Sequence, residues 1–192
     1  MPRTARNIFD GGIYHIFNRG HNKYKIFHDQ QDYLTFKKLI KKYLMSSKIE
    51  IYHYALMPNH FHLLLKVLEA KGLSKFMQGL CQTYAQNYHK RYDTVGYLFQ
   101  NRYKDIFIKN DNQLLECGRY IERNPLRARL VNNLDNYPYS SYHYYSKGKK
   151  DNLITENPLY QAIGKAKSKR QKAYVEYINT SRPYEEILDE KL

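Results

Sequence analysis

Residues 49–67 leave this chain little freedom. The run 49–57 (Ile-Glu-Ile-Tyr-His-Tyr-Ala-Leu-Met) is rich in β-branched and aromatic side chains, Pro58-Asn59 is a turn signal, and 61–67 is a second run of strand formers. Two strands joined by so short a turn pair antiparallel as a hairpin. The spacing of the remaining elements must fit a sheet built around that hairpin.

Ile13-Tyr14-His15-Ile16-Phe17-Asn18-Arg19 reads as an earlier strand, entered through Gly11-Gly12 and left at Gly20. Asp29 can cap a helix running to about Met45, with Tyr33, Phe36, Ile40, Tyr43 and Leu44 at helical spacing. A second helix spans 73–92, where Leu73, Phe76, Met77, Leu80, Tyr84 and Tyr88 recur every three or four residues. A loop over 93–96 leads to a fourth strand at 103–108. Asn110 or Asp111 can cap a further helix over 113–123, which Pro125 is expected to stop.

The order is strand, helix, strand, strand, helix, strand, helix. Its first six elements match the split βαβ pattern: an α+β, ferredoxin-like (RRM-like) fold with an antiparallel sheet and helices on one face, here followed by an added helix. Beyond Asn136 the chain turns rich in Tyr, Ser and Lys, and a last basic helix over about 159–178 either packs back or binds a partner. One domain is expected over 1–145, with a basic, partly helical tail over 146–192.

With 192 residues and 42% hydrophobic composition, a packed core is within reach. Lys and Arg number 32 against 18 acidic residues, a net charge of +14 that points to a polyanionic partner. Tyrosine occurs 21 times, and tyrosine among basic residues suits stacking on exposed bases, although most copies are expected to pack. Cys81 and Cys117 form no disulfide framework and no CxxC pair. The apolar run 61–65 is far too short for a bilayer and no apolar signal segment follows the basic start, so a cytoplasmic protein without a membrane partner is expected.

The sharpest chemical feature is His60-Phe61-His62. On a strand, residues two apart share a face, so both imidazoles project together while Phe61 turns the other way. Two neutral imidazoles side by side can bind one divalent metal. No HExxH, CxxC or nearby acidic cluster completes a closed site, which argues for an open one that takes water and substrate phosphate. The second cluster is Arg119-Tyr120-Ile121-Glu122-Arg123-Asn124-Pro125. Tyr120 and Asn124 are four apart and share a helix face. A phenol beside a metal-bound phosphate can act as a nucleophile, while the alternative for these two residues is core packing and a helix cap.

Five segments in order resemble the single-tyrosine transposases of the HUH endonuclease superfamily, nearest to the REP-associated branch. They are Tyr14 to Gly20, Tyr54-Ala55-Leu56-Met57-Pro58-Asn59-His60-Phe61-His62-Leu63-Leu64-Leu65, Gly96-Tyr97-Leu98-Phe99-Gln100-Asn101-Arg102-Tyr103-Lys104, Arg119 to Val131, and Tyr137-Pro138-Tyr139-Ser140-Ser141-Tyr142. The resemblance implies that His60 and His62 bind Mg²⁺ or Mn²⁺, that Asn124 supplies a third ligand through its amide, and that Tyr120 is the nucleophile. It implies nicking and rejoining of single-stranded DNA with hairpin or repeat ends through a 5′-phosphotyrosine link, by a monomer or homodimer. Arg19, Arg102 and Lys104 lie in the matching segments and are candidates for phosphate contacts, each alternatively a solvated surface charge. Two rivals stay open: a domesticated repeat-binding DNA- or RNA-binding module without cleavage, and a metallohydrolase that uses activated water.

Overall fold

The computed structural model of the chain describes residues 6–180 and 182. Four strands, β1 (Ile13–Arg19), β2 (Ile49–Met57), β3 (His60–Val67) and β4 (Lys104–Phe107), form one antiparallel sheet in the order β2-β3-β1-β4. Helices α1 (Gln30–Leu44) and α2 (Ala70–Tyr92) interleave with the strands as the α+β, ferredoxin-like reading requires. Asp29 caps α1, its carboxylate accepting from the Asp32 N–H.

Alternation along β3 divides the sheet into two faces. Phe61, Leu63, Leu65 and Val67 join Tyr14, Ile16 and the apolar stripes of α1 and α2 in the main core. The opposite face carries Tyr52, Ala55 and Leu64 and is covered by α3 (Asp111–Arg127), through Leu114, Tyr120 and Ile121. The added helix therefore lies across the sheet from the other two. A bulge at Tyr52, with Ile51 opposite Leu65 but His53 opposite Leu64, lets both Tyr52 and His53 meet α3.

Pro125 does not stop α3, which continues to Arg127. Proline has no N–H to give the carbonyl four residues back. The Asn124 side chain supplies a donor instead: its Nδ2 reaches the Tyr120 carbonyl at 2.9 Å and the Ile121 carbonyl at 3.4 Å. The expectation of an end near Arg123 failed because it counted the missing donor and not its replacement.

The chain beyond Asn136 packs against this same face and edge. Residues 139–155 line the free side of β2, with Leu56 N–H bonded to Tyr139 O, Ser141 N–H to Tyr54 O and Thr155 N–H to Ile51 O, so that edge is not open to another strand. A short helix, α4 (Tyr142–Lys147), was not anticipated. In place of one helix over 159–178 there is a 3₁₀ turn (Gln161–Ile163), extended backbone at Gly164, and α5 (Lys167–Asn179). Tyr142, Tyr145, Tyr160, Tyr174 and Ile178 form a third apolar cluster that joins α4 and α5.

Candidate active site

His60 and His62 leave β3 on the side that faces α3, with ring centroids 4.9 Å apart and planes nearly perpendicular. Tyr120 descends from α3 to meet them, its ring centroid 5.8 Å from that of His62. Asn124, one turn further along α3, is buried beside the nucleophile candidate. Because its amide nitrogen is spent on the helix carbonyls, its amide oxygen is turned the other way. The structure thus brings His60, His62 and Tyr120 to one place, with Asn124 on the same helix.

The two imidazoles share a feature rare in buried polar groups. The Nε2 atoms of both His60 and His62 are buried and have no hydrogen-bond partner among the described residues. Their other ring nitrogens are engaged: His60 Nδ1 with Asn59 Oδ1 at 2.6 Å, and His62 Nδ1 with His15 Nε2 at 2.9 Å. Burial holds His60 down to about 4, with a smaller push from the Arg19 guanidinium, and holds His62 well below the usual imidazole range. Both rings are therefore neutral at neutral pH, the form that ligates metals. Among the described residues no group of three or more His, Cys, Asp or Glu side chains is arranged to hold a metal ion. An amide such as Asn124 falls outside such a set, and two buried, unpartnered imidazole nitrogens are suitable donors for a divalent cation that draws further ligands from substrate and water.

Two residues at the site escaped the sequence reading. His15 is buried on β1, its ring stacked 5.1 Å from that of His62 and 6.0 Å from that of Tyr120. It lies diagonal to His62, since Phe17 is the residue opposite His62, and that pairing exists only once the register is known. Arg127 sets its guanidinium 5.0 Å from the centroid of the Tyr120 ring. Its place depends on α3 running past Pro125.

Arg19, Arg102 and Lys104 also converge. They line a shallow pocket of about 70 Å³ together with Phe17, Asn18, Gln100 and Asn101. Arg19 stands opposite His60 in the β1–β3 register, and Lys104 lies 5.6 Å over the ring of Phe17, which in turn neighbours His62 at 5.8 Å. The basic pocket and the histidine pair are therefore adjoining parts of one surface.

Behind the site, α3 is tied down by a buried polar cluster. The Glu122 carboxyl accepts from His53 Nδ1 at 2.9 Å, Ser141 Oγ at 2.6 Å and Tyr174 OH at 2.9 Å. Arg119 Nε donates to Tyr177 O and Arg123 to Ile178 O, so α5 clamps the outer side of the tyrosine helix.

A four-stranded antiparallel sheet with helices in this order is a tyrosine-transposase fold. The chain belongs to the IS200-like transposase family, whose model matches residues 9–124. A Haemophilus influenzae protein named as a REP-associated tyrosine transposase is 26% identical over 156 residues, covering 74% of this chain and 86% of the relative. The solved structure of a REP-associated tyrosine transposase bound to a REP hairpin shares the fold at a TM-score of 0.61 and 16% identity, covering 82% of this chain and 93% of that one. Among the described residues no helix is long and apolar enough to cross a membrane.

Proposed function

We propose that this transposase nicks and rejoins single-stranded, hairpin-bearing DNA through a covalent 5′-phosphotyrosine link at Tyr120, with one Mg²⁺ or Mn²⁺ held by His60, His62 and the Asn124 amide oxygen. The observation that carries this reading is the pair of buried, unpartnered Nε2 atoms beside the Tyr120 ring. A bound divalent cation would polarise a scissile phosphate oxygen and orient that phosphate for in-line attack.

The protein's own residues supply the rest. Tyr120 gives up its phenolic proton to water, its oxygen attacks phosphorus, the bond to the 3′ oxygen breaks, and that oxygen takes up a proton from water to leave as a 3′-OH. A phenol ordinarily ionises near pH ~10, so it needs help to lose its proton. The Arg127 guanidinium stacks over the Tyr120 ring, 5.0 Å from its centroid, and so holds a positive charge beside that side chain. Arg19, Arg102 and Lys104 grip the phosphates that flank the attacked one. The link to Tyr120 keeps the energy of the phosphodiester, so another 3′-OH can reverse the step without ATP. The Tyr120 ring lies 5.8 Å from the His62 ring within one chain, which supports attack in cis.

The test is a denaturing gel of the protein mixed with end-labelled single-stranded REP-type hairpin DNA and Mn²⁺. A protein–DNA band that disappears with Tyr120→Phe is expected. Cleaved ends without that band would establish a water-using hydrolase, and retarded but uncut DNA on a parallel native gel a binding-only module.

A further inference from the structure

The histidine pair is held by two further side chains that come from different elements. Resting on the metal reading above, we propose that Asn59 and His15 are positioning residues that lock His60 and His62 as their Nδ1–H tautomers, so that both Nε2 lone pairs face the cation.

For His60, hydrogen-bond polarity decides the tautomer. Asn59 donates its Nδ2 to the Lys23 carbonyl at 3.1 Å, and a carbonyl can only accept. That fixes which end of the amide is which: Oδ1 is the atom 2.6 Å from His60 Nδ1. An amide oxygen only accepts, so His60 Nδ1 carries the proton and Nε2 presents its lone pair.

For His62 there are two possible arrangements. One proton lies between His62 Nδ1 and His15 Nε2, which are 2.9 Å apart in a buried contact. If His15 donated, the His62 proton would sit on Nε2, a buried N–H with no acceptor among the described residues. Such a group costs its full desolvation, and it would turn a hydrogen at the cation site. If His62 donates, Nε2 is a lone pair that a cation satisfies, and His15 carries its own proton on Nδ1. The second arrangement is the one that agrees with His60. A ligand's tautomer is set by the bond its other nitrogen makes, and loss of such a partner costs about 10–100-fold in metal affinity.

The experiment combines ¹⁵N NMR of the imidazoles with Mn²⁺ titration followed by EPR, on the full chain. In the metal-free protein both His60 and His62 should show the Nδ1–H pattern. His15→Phe removes the acceptor and should move His62 toward the other tautomer, leave His60 unchanged, and weaken Mn²⁺ binding about tenfold or more. His15→Gln returns an amide oxygen and should restore both readouts. Asn59→Leu should do to His60 what His15→Phe does to His62. Mn²⁺ binding by a wild-type protein whose His62 is Nε2–H would overturn the tautomer lock and leave the metal reading standing. Unchanged Mn²⁺ affinity in both His15→Phe and Asn59→Leu would do the same. A wild-type protein that binds no Mn²⁺ would overturn the metal reading and this proposal with it.

Discussion

The carboxyl of Glu122 and the imidazole of His53 meet at 2.9 Å, joining the buried side of the tyrosine helix to the bulged part of β2. Neither side chain lines the basic pocket, yet the same carboxyl also holds Ser141 and Tyr174, so one residue gathers three segments around α3. Glu122→Ala strips three donors of their acceptor at once. Breaking a buried pair of this kind costs on the order of 3–5 kcal/mol, and chemical denaturation should show a loss in that range. A change under about 1 kcal/mol would mean that the cluster does not anchor the helix.

Gly118 gives the same contact its closeness. A Cβ at this position would sit 2.8 Å from His53 Nε2. Gly118→Ala gains helix propensity of up to about 1 kcal/mol but must push the imidazole off Glu122. The net outcome expected is destabilisation of about 1–3 kcal/mol, the usual cost of overpacking, read as a lower denaturation midpoint. A stabilised Gly118→Ala variant would contradict the tight packing of α3 on β2.

Asn124 serves the helix as well as the proposed metal. Asn124→Ala removes the donor that covers the Tyr120 and Ile121 carbonyls next to Pro125. A loss of about 1 kcal/mol is expected in metal-free protein, together with weaker Mn²⁺ binding. Asn124→Gln keeps the amide but lengthens its arm, and should recover metal binding more than stability. Identical behaviour of the two variants in both assays would argue against the double role.

Acid should unfold the metal-free protein earlier than an ordinary carboxylate count suggests. Burial holds His15 down to about 3 and His60 to about 4, while an unfolded histidine titrates near 6.5. Between 6.5 and those folded values the unfolded chain binds more protons, so stability is complete above about pH 6.5 and is lost as pH falls toward 3. For every tenfold by which folding weakens an imidazole's hold on its proton, about 1.4 kcal/mol of stability is at stake. Thermal melts followed by circular dichroism from pH 7.5 down to 4.5 should show a midpoint that drops steadily below 6.5. A flat profile across that window would remove the histidines as the cause.

The basic pocket should be visible in the salt dependence of binding. For single strands the slope of log affinity against log salt is about −0.7 for each phosphate neutralised. Arg19→Ala, Arg102→Ala and Lys104→Ala should each shallow that slope by about 0.7 while weakening all sequences alike. A slope equal to wild type in all three would move the DNA path elsewhere on the surface.

Local order in the sequence was enough to determine much of this molecule. The Pro58-Asn59 turn and the two-residue period of a strand fix the hairpin and put His60 and His62 on one face, because both effects act over a few residues. The three- and four-residue stripes of α1 and α2 and the Asp29 cap are equally local, and a four-residue spacing is enough to align Tyr120 with Asn124. Tertiary structure alone decided what those pieces meet. His15 reaches His62 from 47 residues away, and Glu122 reaches His53 across 69, through strand register and helix placement that no short window encodes. The passage of α3 beyond Pro125 belongs with them. A proline reads locally as a stop, and only the folded geometry shows the neighbouring side-chain amide reaching the Ile121 carbonyl in its place.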